Sequence, residues 1–326
     1  MVTPLKIFAL DATQAFGAEI ACAGSFTLAP HEERAFEDGE HKVRPLETVA
    51  GCDVYVVQSL HSGPKASADD KLNRLLFFIG ALKDAGAARI TAVTPYLCYA
   101  RKDRRTKWQD PLTVRYVAAL FEAVGTDAIV TMDVHNEAAF ETAFRRRTVA
   151  LTAAPLFVEY AMALGEERLC VVSPDAGGVK RAQLLREALE NTSGREIGRG
   201  YVEKRRSAGV VSGGLLAGDV RDSTVLIVDD LVATGGTLQR AAQAARTGGA
   251  HRVIALATHG LFMTGASETL ADSAIDRIAV TDIVPPFRLS GASISQKIDI
   301  LGAAGLFAQA IQRLHQNLRL DDLLAY

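Results

Sequence analysis

Apolar residues fall along this chain in short runs rich in Val and Ile, separated by longer stretches in which apolar positions recur every third or fourth residue. The first pattern predicts buried strands and the second predicts amphipathic helices. In the first half the runs predict strands near Leu5 to Leu10, Asp53 to Ser59, Arg89 to Pro95 and Ala128 to Asp133, with helices near Asp70 to Ala85 and Leu112 to Val124. In the second half they predict strands near Arg168 to Ser173, Thr224 to Val228, Arg252 to His259 and Asp276 to Thr281, with helices near Gly178 to Glu190 and Leu238 to Thr247. Strands that alternate with helices predict an α/β fold of mostly parallel sheets flanked by helices.

The segments Ala128-Ile-Val-Thr-Met-Asp-Val and Thr224-Val-Leu-Ile-Val-Asp-Asp both run an apolar strand into an acidic end, which predicts two tandem copies of one fold. The boundary is expected near residues 148 to 156, where three arginines give way to Leu151-Thr-Ala-Ala-Pro, so that 1-150 and 151-326 form the two domains. No long linker or low-complexity segment separates them.

The chain has 326 residues, 48% hydrophobic and 23% charged, a balance that suits ordinary globular domains. A formal charge of −2 and a pI near 6.4 give no bulk drive toward nucleic acid, so anion binding must come from local clusters. Cys22, Cys52, Cys98 and Cys170 are scattered and are expected to be reduced thiols in or near the core. With no basic-then-apolar leader and no apolar stretch of ~18 residues, the expectation is a cytoplasmic protein with no membrane partner.

Candidate chemistry gathers where apolar runs end, because open α/β sheets bind ligands beyond the carboxyl ends of their strands. The richest such place is Val225-Leu-Ile-Val-Asp-Asp-Leu-Val-Ala-Thr-Gly-Gly-Thr. Asp229 and Asp230 suit sugar hydroxyls. Thr234, Gly235, Gly236 and Thr237 suit a phosphate, with backbone N–H groups, two hydroxyls and a helix N-terminus. A pocket for a phosphorylated ribose follows.

Four further clusters accompany it. Val171-Val-Ser-Pro-Asp-Ala-Gly-Gly places Asp175 at a strand end, either to hold a cation or to cap the next helix. Thr131-Met-Asp-Val-His-Asn lets Asp133 and His135 alternate outward, and among seven histidines only His135 has such a setting. Pro95-Tyr-Leu-Cys-Tyr-Ala-Arg-Lys-Asp-Arg-Arg crowds Arg101, Lys102, Arg104 and Arg105 around one Asp. That crowding suits a polyphosphate or, alternatively, a solvated basic loop. Glu203-Lys-Arg-Arg leads into a stretch rich in Gly and Ser, where a lysine and an arginine can close over developing negative charge.

In order, these pieces resemble the ribose-phosphate diphosphokinase (phosphoribosyl pyrophosphate synthetase) family, from about Lys6 to beyond Leu289. The most specific parts are Phe36-Glu-Asp-Gly-Glu, Pro95 through Arg105, Val171 through Gly178, Lys204-Arg-Arg, and Val228-Asp-Asp through Thr237. The resemblance implies two phosphoribosyltransferase-like domains, with ATP, the basic loop and subunit contacts on the first. Ribose 5-phosphate and the catalytic residues belong to the second, and the last helix packs back on the first. It implies a homo-oligomer, dimer or hexamer, that transfers the diphosphoryl group of ATP to the 1-hydroxyl of ribose 5-phosphate and releases AMP.

By the same likeness Ala233 to Thr237 cradle the 5-phosphate and Asp229 with Asp230 hold ribose hydroxyls. Phe36, Asp38, Gly39 and Glu40, lent by a neighbouring subunit, meet the adenine side of ATP, and Arg101, Lys102, Arg104 and His135 lie along the nucleotide. His135 and Asp175 match the positions that organise Mg²⁺, and Lys204 with Arg206 match the catalytic pair.

The chain also departs from the family pattern. Lys102 stands where Gln is usual, and Ala233 replaces a frequent Asp. Thr106-Lys-Trp-Gln-Asp-Pro lacks a common Ser and Arg, and Asn136-Glu-Ala-Ala-Phe replaces Ala-x-Gln-Ile. Two other readings stay open: a phosphoribosyltransferase that uses the activated sugar, and a non-catalytic regulatory paralogue. The first would not need the basic loop and His135, and the second would be expected to lack Lys204, Arg206 or His135.

Overall fold

A computed structural model describes residues 3–207 and 210–324, without the side chains of 204–214. The chain divides into two compact units. One runs to Thr152 and takes in the segment from Ala303 onward, and the other is Ala153–Gly302.

The first unit is built from β1 (Leu5–Ala9), α1 (Gln14–Gly24), β2 (His31–Ala35), β3 (His41–Pro45), β4 (Asp53–Val57), α2 (Ala68–Asp84), β5 (Arg89–Val93), α3 (Thr113–Ala123), β6 (Ala128–Met132), α4 (Glu137–Ala143) and β7 (Arg147–Leu151). Its sheet has the order β1-β4-β5-β6-β7, parallel throughout. β4 and β6 are buried at every residue, which is why they read as mostly apolar runs with no polar alternation.

α2 starts in a capping box: Ser67 Oγ accepts from the Asp70 N–H, and the Ser67 N–H donates to Asp70 Oδ2 at 2.9 Å. It buries Leu75, Phe78, Ile79 and Leu82, each fully buried side chain contributing roughly 1.5–3 kcal/mol. β2 and β3 form a separate antiparallel ribbon.

The second unit contains α5 (Ala154–Ala163), β8 (Leu169–Ser173), α6 (Val179–Ser193), β9 (Gly198–Ser207), β10 (Val210–Ala217), β11 (Thr224–Val232), α7 (Gly236–Thr247), β12 (Arg252–Gly260), α8 (Ala266–Leu270), β13 (Arg277–Thr281), α9 (Ala292–Ser295) and β14 (Ile298–Leu301). Its seven strands run β10-β9-β8-β11-β12-β13-β14, and only β9 and β10 pair antiparallel. α7 lays Leu238, Ala241, Ala242 and Ala245 into the core, and the three alanines let helix and sheet approach closely.

α10 (Ala304–His315) returns to the first unit, where Phe307 meets Phe16 of α1 edge to face at 5.7 Å. Two parallel sheets flanked by helices give the α/β class read from the sequence. Of the four cysteines, Cys52, Cys98 and Cys170 are buried, but Cys22 is exposed, because it falls on the outer face of α1. Among the described residues no helix is long and apolar enough to cross a membrane.

Candidate active site

β11 is longer than its apolar run suggests. It reaches Val232 because β12 pairs with it all the way, Asp229 opposite Ala257 and Val232 opposite Gly260. Asp229 and Asp230 therefore sit inside the strand and not beyond it, with Asp230 only 4% exposed.

Arg181, in the first turns of α6, brings Nη1 to 3.7 Å from Asp229 Oδ1 and 3.8 Å from Asp230 Oδ1. One guanidinium thus answers two carboxylates. Burial, and then the neighbouring Asp230, raises the Asp229 pKa well above the ordinary carboxylate range, with Arg181 opposing them. The sequence reading missed Arg181, whose available signal was a basic pair, Lys180-Arg181, just after the Gly177-Gly178 turn.

Beyond β11 the chain turns through Ala233, Thr234 and Gly235 into α7. The Met263 N–H donates to the Ala233 carbonyl at 2.9 Å, fixing the loop from the side. Gly235 has φ +83°, and a Cβ there would stand 2.6 Å from Leu270 Cδ2, so glycine is required on both counts. No side chain caps the N-terminus of α7. Its first N–H groups are therefore left without a side-chain acceptor, and with the Thr234 and Thr237 hydroxyls and the helix dipole they make a candidate site for an anion. Arg240 Nη2 reaches Thr237 Oγ1 at 3.4 Å.

At the end of β8, Asp175 caps the following turn: its Oδ1 accepts from the Gly177 N–H at 2.9 Å and the Gly178 N–H at 3.3 Å. Capping, one of its two sequence readings, is present. Lys204 and Arg206 occupy β9 opposite Gly214 and Val211 of β10, while their side chains lie outside the described residues.

In the first unit, Phe36 to Glu40 form the tip of the β2–β3 ribbon. The Phe36 N–H donates to the Glu40 carbonyl at 2.7 Å, Asp38 Oδ1 accepts from the Glu40 N–H at 3.0 Å, and Gly39 has φ +92°. The whole tip is exposed, Phe36 by 41%.

The basic loop is less free than its charges suggest. Lys102 Nζ is 2.7 Å from Asp110 Oδ2, an oxygen that also accepts from the Thr106 and Lys107 N–H groups, both at 2.9 Å. These donors hold the Asp110 carboxyl far below its usual range, Lys102 foremost. Arg101, Arg104 and Arg105 are exposed and form no ion pair among the described residues.

β6 ends at Met132, and Asp133 turns to φ +40°, so Asp133 and His135 do not alternate along a strand. A left-handed residue breaks the extended pattern, leaving His135 exposed in the turn before α4.

Other histidines are engaged locally. Among the described residues, the one group of three His or acidic side chains close enough together to hold a metal ion is Asp11, His31 and Glu33. Its charges are answered in place. His31 Nε2 lies 3.2 Å from Glu33 Oε1, Arg74 Nη1 lies 3.5 Å from Glu33 Oε2, and the His31 ring packs on Phe8 and Phe78. His61 sits between Ser59 at 3.1 Å and Lys71 at 3.3 Å, and His315 Nδ1 is 2.8 Å from Asp53 Oδ2.

Half-buried Asp229 and buried Asp230 stand beside an uncapped helix N-terminus on the central strand of a mostly parallel sheet, which marks an α/β protein with a candidate site for a phosphorylated sugar. Residues 5–125 match the N-terminal domain of ribose phosphate pyrophosphokinase, and residues 213–324 match the phosphoribosyl synthetase-associated domain. The chain is 38% identical over 322 residues to a ribose-phosphate pyrophosphokinase of Caldanaerobacter subterraneus, covering 98% of this chain and 97% of that protein. Its identity to the ribose-phosphate pyrophosphokinase of Shewanella oneidensis is 37% over 314 residues, 95% of each chain. The crystal structure of phosphoribosylpyrophosphate synthetase from Mycobacterium smegmatis superposes with a TM-score of 0.84 at 31% identity, covering 97% of this chain and 100% of that one. The chain belongs to the ribose-phosphate pyrophosphokinase family.

Proposed function

We infer that the chain performs the reaction of its family, transfer of the diphosphoryl group of ATP to the 1-hydroxyl of ribose 5-phosphate, giving 5-phosphoribosyl 1-diphosphate and AMP. The observation that carries this is the β11–α7 element, where Asp229 and Asp230 stand beside an uncapped helix N-terminus.

Asp229 and Asp230 accept hydrogen bonds from the ribose hydroxyls. Ala233, Thr234, Gly235, Gly236 and Thr237 take the 5-phosphate through backbone N–H groups and hydroxyls. Ala233 brings no carboxylate, so the phosphate meets no like charge from that side chain.

In the first unit, Phe36, Asp38, Gly39 and Glu40 meet the adenine side of ATP, and Arg101, Lys102, Arg104 and His135 line the nucleotide. The exposed ribbon tip, with Phe36 among acidic residues, is open to a neighbouring subunit, in keeping with a homo-oligomer, dimer or hexamer in which that subunit lends it. Lys204 and Arg206 act on the charge that develops as the diphosphoryl group moves.

The cofactor is Mg²⁺, and His135 and Asp175 are the residues assigned to it. Mg²⁺ keeps several waters and takes few protein ligands beside substrate phosphates, and a sparse protein contribution of this kind fits it. When bound, it neutralises charge on the phosphates of ATP. ATP and ribose 5-phosphate are the partners, with no nucleic acid or membrane, and the location is cytoplasmic.

Incubation of the purified protein with ATP, Mg²⁺ and ribose 5-phosphate tests the reading, with mass spectrometry as the readout. AMP together with a sugar phosphate heavier by one diphosphoryl group is expected. The absence of AMP, with consumption of supplied 5-phosphoribosyl 1-diphosphate and a base, would move the assignment to a phosphoribosyltransferase.

A further inference from the structure

Asn136 joins the two segments of the first unit assigned to ATP. Its Oδ1 accepts from the Ala139 N–H at 3.1 Å and caps α4, while its Nδ2 donates to Asp103 Oδ2 at 2.6 Å. Both ends of one amide are used, and only this orientation satisfies an N–H donor on one side and a carboxylate on the other. The cap fixes the backbone immediately after His135, and the second bond fixes the middle of the basic loop.

Asp103 is the anion within the run Arg101 to Arg105, and it is the group best placed to compete with a phosphate for those arginines. Bonded to Asn136, its carboxylate is drawn to a neutral donor outside the run. The loop's other carboxylate, Asp110, is held by Lys102, Thr106 and Lys107. Both loop anions are therefore occupied, while Arg101, Arg104 and Arg105 stand exposed.

We propose that Asn136 is a positioning residue that engages Asp103 and so holds the basic loop, with its arginines open to phosphate, in register with His135. The inference rests on the reading of that loop as the nucleotide side of the site.

Three variants separate the tie from the cap. Asn136→Asp keeps a good cap but sets a like charge against Asp103. Asn136→Ser keeps a cap and removes the tie. Asn136→Asp with Asp103→Asn restores the pair with donor and acceptor exchanged.

The expected result for Asn136→Asp is a rise in KM for ATP on the order of fivefold, with kcat, KM for ribose 5-phosphate and Tm close to wild type. Asn136→Ser should give about half that rise, and the double variant should return to within about twofold of wild type. The proposal is overturned if Asn136→Asp leaves KM for ATP unchanged, or if the double variant is no better than Asn136→Asp. Arg101→Ala is measured alongside. If it raises KM for ATP while Asn136→Asp is silent, only the positioning role fails. If Arg101→Ala is itself silent, the nucleotide reading of the loop fails and takes the proposal with it.

Discussion

Arg89 holds Asp53 with two parallel hydrogen bonds, Nε to Oδ1 at 2.7 Å and Nη2 to Oδ2 at 2.5 Å. The same guanidinium donates to the Leu314 carbonyl at 3.1 Å, and His315 Nδ1 contacts Asp53 from α10. Asp53 is 2% exposed, so this carboxylate has little water to fall back on.

Removing one member of such a group leaves the other charges unanswered. Asp53→Ala is expected to destabilise the first unit by about 3 kcal/mol, discounted from the fully buried case because Arg89 is partly exposed. Hydrogen exchange should show the loss in β4, β5 and α10 together. Unchanged protection of α10 would mean that this group does not hold the helix.

The Asp229–Asp230 pair is held at a cost in stability at neutral pH. Burial raises the pKa of Asp229 above its ordinary 3.8, so the folded protein holds a proton there that the unfolded chain has already released. Its contribution to stability is full below that ordinary value and is lost as pH rises through the elevated one. Asp229→Asn removes the loss. The variant should match wild type in acid and exceed it at neutral pH by on the order of 1 kcal/mol, about 2–4 °C in Tm. Its kcat/KM for ribose 5-phosphate should fall at least about tenfold, since an amide is a poorer acceptor for sugar hydroxyls. Calorimetry across pH, paired with kinetics, checks both halves.

Gly235 makes the loop between β11 and α7 intolerant of any side chain at that position. In Gly235→Ala the left-handed backbone costs about 1 kcal/mol, and the new methyl must displace Leu270. KM for ribose 5-phosphate should rise about tenfold or more. Adding Leu270→Ala should recover part of the stability by making room. Recovery of full affinity in that double variant would show that packing alone, and not backbone conformation, sets the loop.

Lys204→Ala tests the assignment of the catalytic pair. Loss of a cation aimed at developing charge typically costs on the order of 3 kcal/mol in activation free energy, about a hundredfold in kcat. Near-normal turnover of the purified variant would remove Lys204 from the mechanism.

The central strands were legible because they are buried on both faces, which leaves unbroken apolar runs such as 54–57 and 169–172. The β2–β3 ribbon was not, since His31-Glu-Glu-Arg-Ala and His41-Lys-Val-Arg-Pro are half-exposed and charged, with no run to mark them. The end of β11 was misplaced because its last residues include two carboxylates. Burial of those groups depends on β12 beside them, which no local pattern reveals. Arg181, and the bond from Asn136 to Asp103, escaped notice for a related reason. Each acts through a partner elsewhere in the chain, and a single sequence records residue types without recording which of them meet.

The segment from Ala303 belongs to the first unit, although all of the second unit is synthesised before it. During translation the second unit can therefore close its core while the first still waits for α10, with Phe16 lacking Phe307 and Asp53 lacking His315. The first unit therefore cannot close its core until the end of the chain has been made, and until then α1 carries an uncovered apolar face.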